Sequence, residues 1–314
     1  MSLALRLIGA LQDLLAGQGD AVEPPPPPAE QAAKGLRKLV QQASSSEATP
    51  EQAQLGQRTI TELVNAEVHT RCLCAVVALA TERIHTIDTR RDLDTAESGL
   101  MRWGHLRVNA LAVLLHIASS EARSVRLLEG TEGGASAGAA SIALDLLASN
   151  AARVDAEGVS VAANLLRNLL LPHANRPVIG ALRGGELLAF AALVPHAGHA
   201  DAAVAAIAAA SLRILVEGCP ANAERCLAVP SGAPLAPLAR LDPTNVHPHA
   251  RAEIARFACA VMAAAMPTNT TESVRTDLTA AGSLGFPAFL LSAPVPRHAR
   301  SHSPPHVDRT LTAR

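Results

Sequence analysis

An all-α protein, its helices repeated along the chain, is what this sequence predicts, and three observations carry the prediction. Of the 314 residues, 49% are apolar but only 2% aromatic, and tyrosine is absent. Ala, Leu and Val therefore supply the apolar surface, and Ala and Leu are strong helix formers. No alternating apolar–polar run flanked by turns stands out as a strand. Thirdly, similar helices recur through the second half of the chain at intervals of 46 to 47 residues.

The formal net charge is −1, without a long basic block, which argues against a nucleic-acid partner. Lys34 and Lys38 are the sole lysines, so arginine carries nearly all the positive charge. The five cysteines, Cys72, Cys74, Cys219, Cys226 and Cys259, are odd in number and form no C-x-x-C spacing. They read as reduced, mostly buried thiols of a cytoplasmic protein.

Taken in order, residues 1–20 predict an N-terminal packing helix with a stripe through Leu3, Leu7, Leu11 and Leu15. Arg6 and Asp13 make a poor leader. Residues 21–57 read as a Pro/Ser-rich linker. Pro24 to Pro28 suggest an extended polyproline spacer, followed by the short helical piece "GLRKLVQQA" and the polar run "SSSEATPEQAQ". Residues 58–293 read as armadillo-type helical repeats, and 294–314 as a disordered, proline-rich tail. The most apolar long segment, Ala202 to Val216, contains Arg213 and is too short to span a bilayer.

Within the helical part, Arg167, Arg213 and Cys259 take equivalent places at intervals of 46 residues. Asn175, Asn222 and Asn269 follow at intervals of 47, and an earlier copy lies in "NALAVLLHIASSEARSVRLLEG". Such a period marks armadillo and HEAT arrays, and the predicted fold is a right-handed α-solenoid of the armadillo type. The asparagines are placed as N-caps, Asn269 with Glu272 three residues on. Pro172, Pro220 and Pro267 stop the preceding helices. Gly184, Gly185, Gly232 and Gly282 end the following ones.

No catalytic constellation emerges. "GASAG" around Ser136 matches G-x-S-x-G, but a helix precedes it where a nucleophile elbow needs a strand. The same loop lacks the Gly-Lys-Ser/Thr of a phosphate cradle. His298, His302 and His306 are spaced by four, but Pro304 and Pro305 forbid the helix that would align them on a metal. His247, His249, His196 and His199 read as surface histidines. "NTT" at Asn269 is a formal glycosylation sequon that serves here as a cap. No metal and no cofactor are expected.

The stripe of interest lies in Val161 to Leu171. Leu165, Leu166, Leu169 and Leu170 form its apolar face, and Asn164, Arg167 and Asn168 stand together on the other. In an armadillo solenoid the third helix of each unit lines the groove, which makes this stripe a candidate partner surface. Arg213, Glu253 and Arg256 would continue it on neighbouring units.

At these residues the sequence resembles one armadillo family. "EGVSVAANLLRNLLLPHANRPVIGAL" is similar to the repeat of the Smg GDP dissociation stimulators, where a helix ending Leu-Arg-Asn-Leu precedes a proline and an Asn-initiated helix. "AAASLRILVEGCPANAERCL", "EIARFACAVMAA" and "ESVRTDLTAAGSLGFPAFLLSA" resemble the following units in order. The resemblance covers about Leu106 to Ala293. It implies a non-enzymatic regulator of Rho- and Rap-type small GTPases that promotes GDP release or chaperones the GTPase with its prenylated tail. By position, Asn164, Arg167, Asn168 and Arg213 would face the GTPase, with Glu253 and Arg256 matching the last good unit. The alternative is an armadillo scaffold that binds a peptide or protein without GTPase specificity. With Trp103 as the one tryptophan, the groove of import receptors, built on tryptophan ladders, is not expected.

Overall fold

The structure is a computed structural model that describes residues 2–17, 23–90, 93–128, 138–149, 156–182, 192–228 and 246–265. Among these the regular structure is helical and no strand occurs. The helices are α1 (Leu3–Ala16), α2 (Pro27–Gln42), α3 (Pro50–Asn65), α4 (Glu67–Arg90), α5 (Leu93–Ile117), α6 (Glu121–Arg126) and α7 (Ala139–Ala148). They continue with α8 (Ala156–Leu170), α9 (Asn175–Gly180), α10 (Ala202–Val216), α11 (Pro220–Ala228) and α12 (Pro248–Ala265), with a 3₁₀ turn at Val194–Gly198.

Local chemistry explains the early helices. Ser2 caps α1, its hydroxyl accepting from the Leu5 N–H and donating to Glu62 of α3. The buried stripe of α1 is Ala4, Ile8, Leu11 and Leu14, whereas Leu3 is exposed. Of the expected stripe, Leu11 is fully buried and Leu7 and Leu15 are half-buried against the core where α1 meets α2 and α4, so that only Leu3 departs from it. Thr49 and Gln52 form a reciprocal capping box at α3. The backbone of α3 crosses closely over the end of α2. A Cβ on Gly56 would lie 2.5 Å from the Ala43 nitrogen and 2.6 Å from the Leu39 oxygen.

Residues 21–57 are not a linker over most of their length. Pro26 is extended, but Pro27 and Pro28 sit in the first turn of α2, where a missing N–H costs nothing and the fixed φ is already helical. The helix then buries Ala29, Ala32, Ala33, Leu36, Leu39 and Val40. The proline segment is held from outside as well. Arg102 bonds Glu30 at 2.6 Å and the Pro25 carbonyl at 2.8 Å, and the Trp103 indole donates to the Glu23 carbonyl at 2.9 Å. The 294–314 tail lies outside the described residues.

A row of helices runs through the molecule. α2 packs on α5, α5 on α8, α8 on α10 and α10 on α12. α8, α10 and α12 begin at Ala156, Ala202 and Pro248, and α8 and α10 end at Leu170 and Val216, each step being 46 residues. Their apolar stripes meet in one core, with Leu165, Leu166, Leu212, Leu215, Phe257 and Val261 fully enclosed.

The asparagines at the joints do not act as N-caps. Asn175 opens α9 without a side-chain cap, and its amide instead donates to the Leu169 carbonyl of α8 at 2.8 Å. Asn222, within α11, donates at 2.8 Å to the Leu215 carbonyl of α10 and at 2.8 Å to the Arg176 carbonyl of α9. Both satisfy orphan carbonyls at the end of the preceding helix. Arg176 does the same, bonding the Leu170, Leu171 and Glu217 carbonyls, and burial pulls its guanidinium below the ordinary value. Gly180 lacks the Cβ that would collide with the Asn222 carboxamide. Asn269, Gly184, Gly185, Gly232 and Gly282 lie outside the described residues.

Candidate functional site

On α8 the leucines and the polar stripe separate as the helical spacing requires. Leu165, Leu166, Leu169 and Leu170 are buried, and Asn164, Arg167 and Asn168 are half-buried together on the other side. The Asn164 amide donates back to the Ser160 carbonyl at 2.9 Å, which leaves its own oxygen pointing away from that bond. The Asn168 carbonyl accepts from the buried Ser124 hydroxyl of α6 at 3.3 Å, fixing the end of α8 against α6.

Arg213, Glu253 and Arg256 are brought together across α10 and α12. Glu253 is 4% exposed and takes two guanidiniums, Arg213 at 2.5 Å and Arg256 at 2.7 Å. Arg213 also pairs with Glu217 at the end of its own helix. A buried carboxylate costs several kcal/mol to desolvate, and two guanidiniums on it offset that penalty. Arg256 is exposed, so the cluster presents one fixed cation to solvent over a closed ion network.

Three residues extend the polar row on the other side and escape sequence reasoning. Arg37 of α2 bonds Asn109 of α5 at 3.2 Å and Glu157 of α8 at 3.4 Å. Arg37 lies in what reads as a linker, so no sequence signal assigns it to a surface. The Arg37–Glu157 pair is exposed enough to contribute little stability, about 0–1 kcal/mol. It does tie three helices of the row together. His116 of α5 is kept below the ordinary histidine range by burial and by the Arg37 charge.

The remaining histidines divide. His247 and His249 are exposed. His196 is buried, contrary to the surface expectation, and its Nε2 donates to the Leu147 carbonyl at 2.8 Å. The 3₁₀ turn packs on α10, which is unreadable from local sequence, and the ring reaches the end of α7 by that bond. Burial lowers its pKa, so the ring is neutral near pH 7. Ser136 and His298, His302 and His306 lie outside the described residues. Among the described residues no three His, Cys, Asp or Glu side chains come together as a metal site, and no single helix is long and apolar enough to cross a membrane.

A pocket of about 540 Å³ lies elsewhere, between α1, α4, α5 and the proline segment, lined by Leu14, Pro24, Pro28, Leu79 and Trp103. It contains none of the stripe residues. No protein-family model matches the chain, and no curated protein is significantly similar to it.

Proposed function

We propose that the chain is a non-enzymatic armadillo-type right-handed α-solenoid that binds Rho- or Rap-type small GTPases through the polar side of its helix row, promoting GDP release or chaperoning them in the cytoplasm. The observation that carries the reading is the half-buried group Asn164, Arg167 and Asn168 on α8, set in a row of helices that begin every 46 residues. A surface polar at its centre and apolar behind is what stacked repeats offer to a partner. The quoted Leu-Arg-Asn-Leu unit and its two successors point the reading toward the GDP dissociation stimulators.

The chemistry needs no catalytic residue. Arg213, Glu253 and Arg256 form a pre-ordered frame, so the partner meets side chains already fixed. A surface that favours the nucleotide-open GTPase shifts its population toward release. A tenfold preference corresponds to about 1.4 kcal/mol, within reach of one or two hydrogen bonds made in one state only.

The test is a pull-down with GDP-loaded, GTP-loaded and nucleotide-free GTPases of the Rho and Rap types. Retention of the nucleotide-free or GDP form is expected, and Arg167→Glu should abolish it without loss of helix. Retention of none of them overturns the GTPase reading. Capture of an unrelated peptide in its place supports the alternative, a scaffold without GTPase specificity.

A further inference from the structure

We infer that Arg167 is the seat of a carboxylate side chain from the protein partner, with an apolar neighbour of that carboxylate resting on Leu171 and Ile207. The inference rests on the α8 stripe being the partner surface, and not on the partner's being a GTPase.

Two places 46 residues apart in the chain differ in their partners. Arg167 and Arg213 hold the same position in α8 and α10. Arg213 has two carboxylates. Glu217 stands one residue past the end of α10, and Glu253 comes from α12, the neighbour of α10. The residue one past the end of α8 is Leu171, and the residue of α10 that stands to Arg167 as Glu253 stands to Arg213 is Ile207. Both acids are replaced by aliphatic side chains. Leu171 is 48% exposed and Ile207 is half-buried at the core edge.

Arg167 is accordingly left without an anion. Every other half-buried arginine among the described residues has a partner within the chain: Arg37, Arg102, Arg123, Arg213 and Arg225 bond side chains, and Arg83 and Arg251 are also engaged. Arg167 makes no hydrogen bond or ion pair among the described residues. A guanidinium is always charged and carries five donors in a planar fork. Half-buried, with Leu171 and Ile207 at the positions where Arg213 has its acids, it is already partly withdrawn from water, which strengthens a charge-assisted bond to an incoming carboxylate. Asn164 and Asn168 flank it with neutral donors and acceptors, and neither repels an anion. The ligand that fits is a segment with Asp or Glu beside an aliphatic or aromatic residue.

The immobilised full chain is panned with phage-displayed random dodecapeptides, and a synthetic peptide of the enriched sequence is titrated by fluorescence anisotropy. Acidic–apolar pairs should be enriched on the wild type and on Arg58→Gln, an exposed control on α3. They should be lost on Arg167→Gln. Leu171→Glu is the sharper variant, because it installs the missing acid where Glu217 holds Arg213 and leaves the arginine in place. At this exposed position it should not change the melting temperature. The peptide should bind Leu171→Glu and Arg167→Gln at least about tenfold more weakly than wild type, and its Glu→Gln version should bind wild type as weakly. No acidic enrichment on wild type, or peptide binding by both variants as tight as by wild type, overturns the inference. A GTPase that binds wild type and Leu171→Glu alike overturns it while the proposed function stands. Peptide binding sensitive to both variants, with no GTPase bound, sustains it while the GTPase reading falls.

Discussion

Replacing Asn222 by alanine tests the reading that asparagine amides brace the joints between successive helices. Asn222 is wholly buried and its amide reaches two carbonyls, each at 2.8 Å, one on α10 and one on α9. Its oxygen accepts from Arg225 at 2.8 Å. A lost bond costs about 1 kcal/mol net, rising toward 3 where a buried carbonyl is left bare. Two such bonds give a loss of about 2–4 kcal/mol. In urea, read by circular dichroism at 222 nm, the midpoint should fall by about 1 M at an ordinary slope for a chain of this size. Asn222→Asp keeps the shape and turns two donors into acceptors facing carbonyls, so it should be at least as harmful. Gly180→Ala pushes a methyl group into the same carboxamide and should not add fully to Asn222→Ala in the double variant. A midpoint unchanged by Asn222→Ala, or an Asn222→Asp protein as stable as wild type, would refute the bracing role.

Three further outcomes follow from the same geometry. Glu253→Gln should lower stability by about 2 kcal/mol in urea, since it removes a buried charge from between two guanidiniums. Brief maleimide treatment of the folded protein, read by peptide mass, should label Cys259, the exposed thiol, well before the others. Burial encloses Cys72, Cys74, Cys219 and Cys226, and desolvation raises Cys72 to about 11 and Cys74 and Cys226 to about 12. Stability should decline as pH falls below about 6.5. The folded pKa values of His196 and His116 are depressed, so the unfolded chain takes up protons there that the folded chain refuses. His196→Gln should flatten that decline, measured as melting temperature against pH.

The helical content and the span of α10 were legible because Ala/Leu-rich periodicity and the 46-residue interval act together, whereas the helix expected from Val161 to Leu171 begins five residues earlier, at Ala156, and ends at Leu170. The α8 stripe was legible for the same reason, since Asn164, Arg167 and Asn168 are neighbours by helical spacing alone. α2 was hidden, because five prolines in a row read as extended chain and only tertiary contact with Arg102 and Trp103 decides that two of them begin a helix. The role of Asn175 and Asn222 was misread for a related reason. Their position two or three residues past a proline suits a cap, and their true partners are carbonyls 6, 7 and 46 residues away. The Arg213–Glu253 pair crosses 40 residues and needed the packing of α10 on α12 to be seen.

Arg37 ties α2 to two further helices, and its charge adds to the burial that lowers the proton affinity of His116. That makes the imidazole a built-in electrometer for the middle of the row. Any partner that draws Arg37 away from Asn109 and Glu157 alters the field at the ring, and the His116 Cε1–H resonance then titrates at a new midpoint. Docking on α8 becomes readable by nuclear magnetic resonance without attaching a probe.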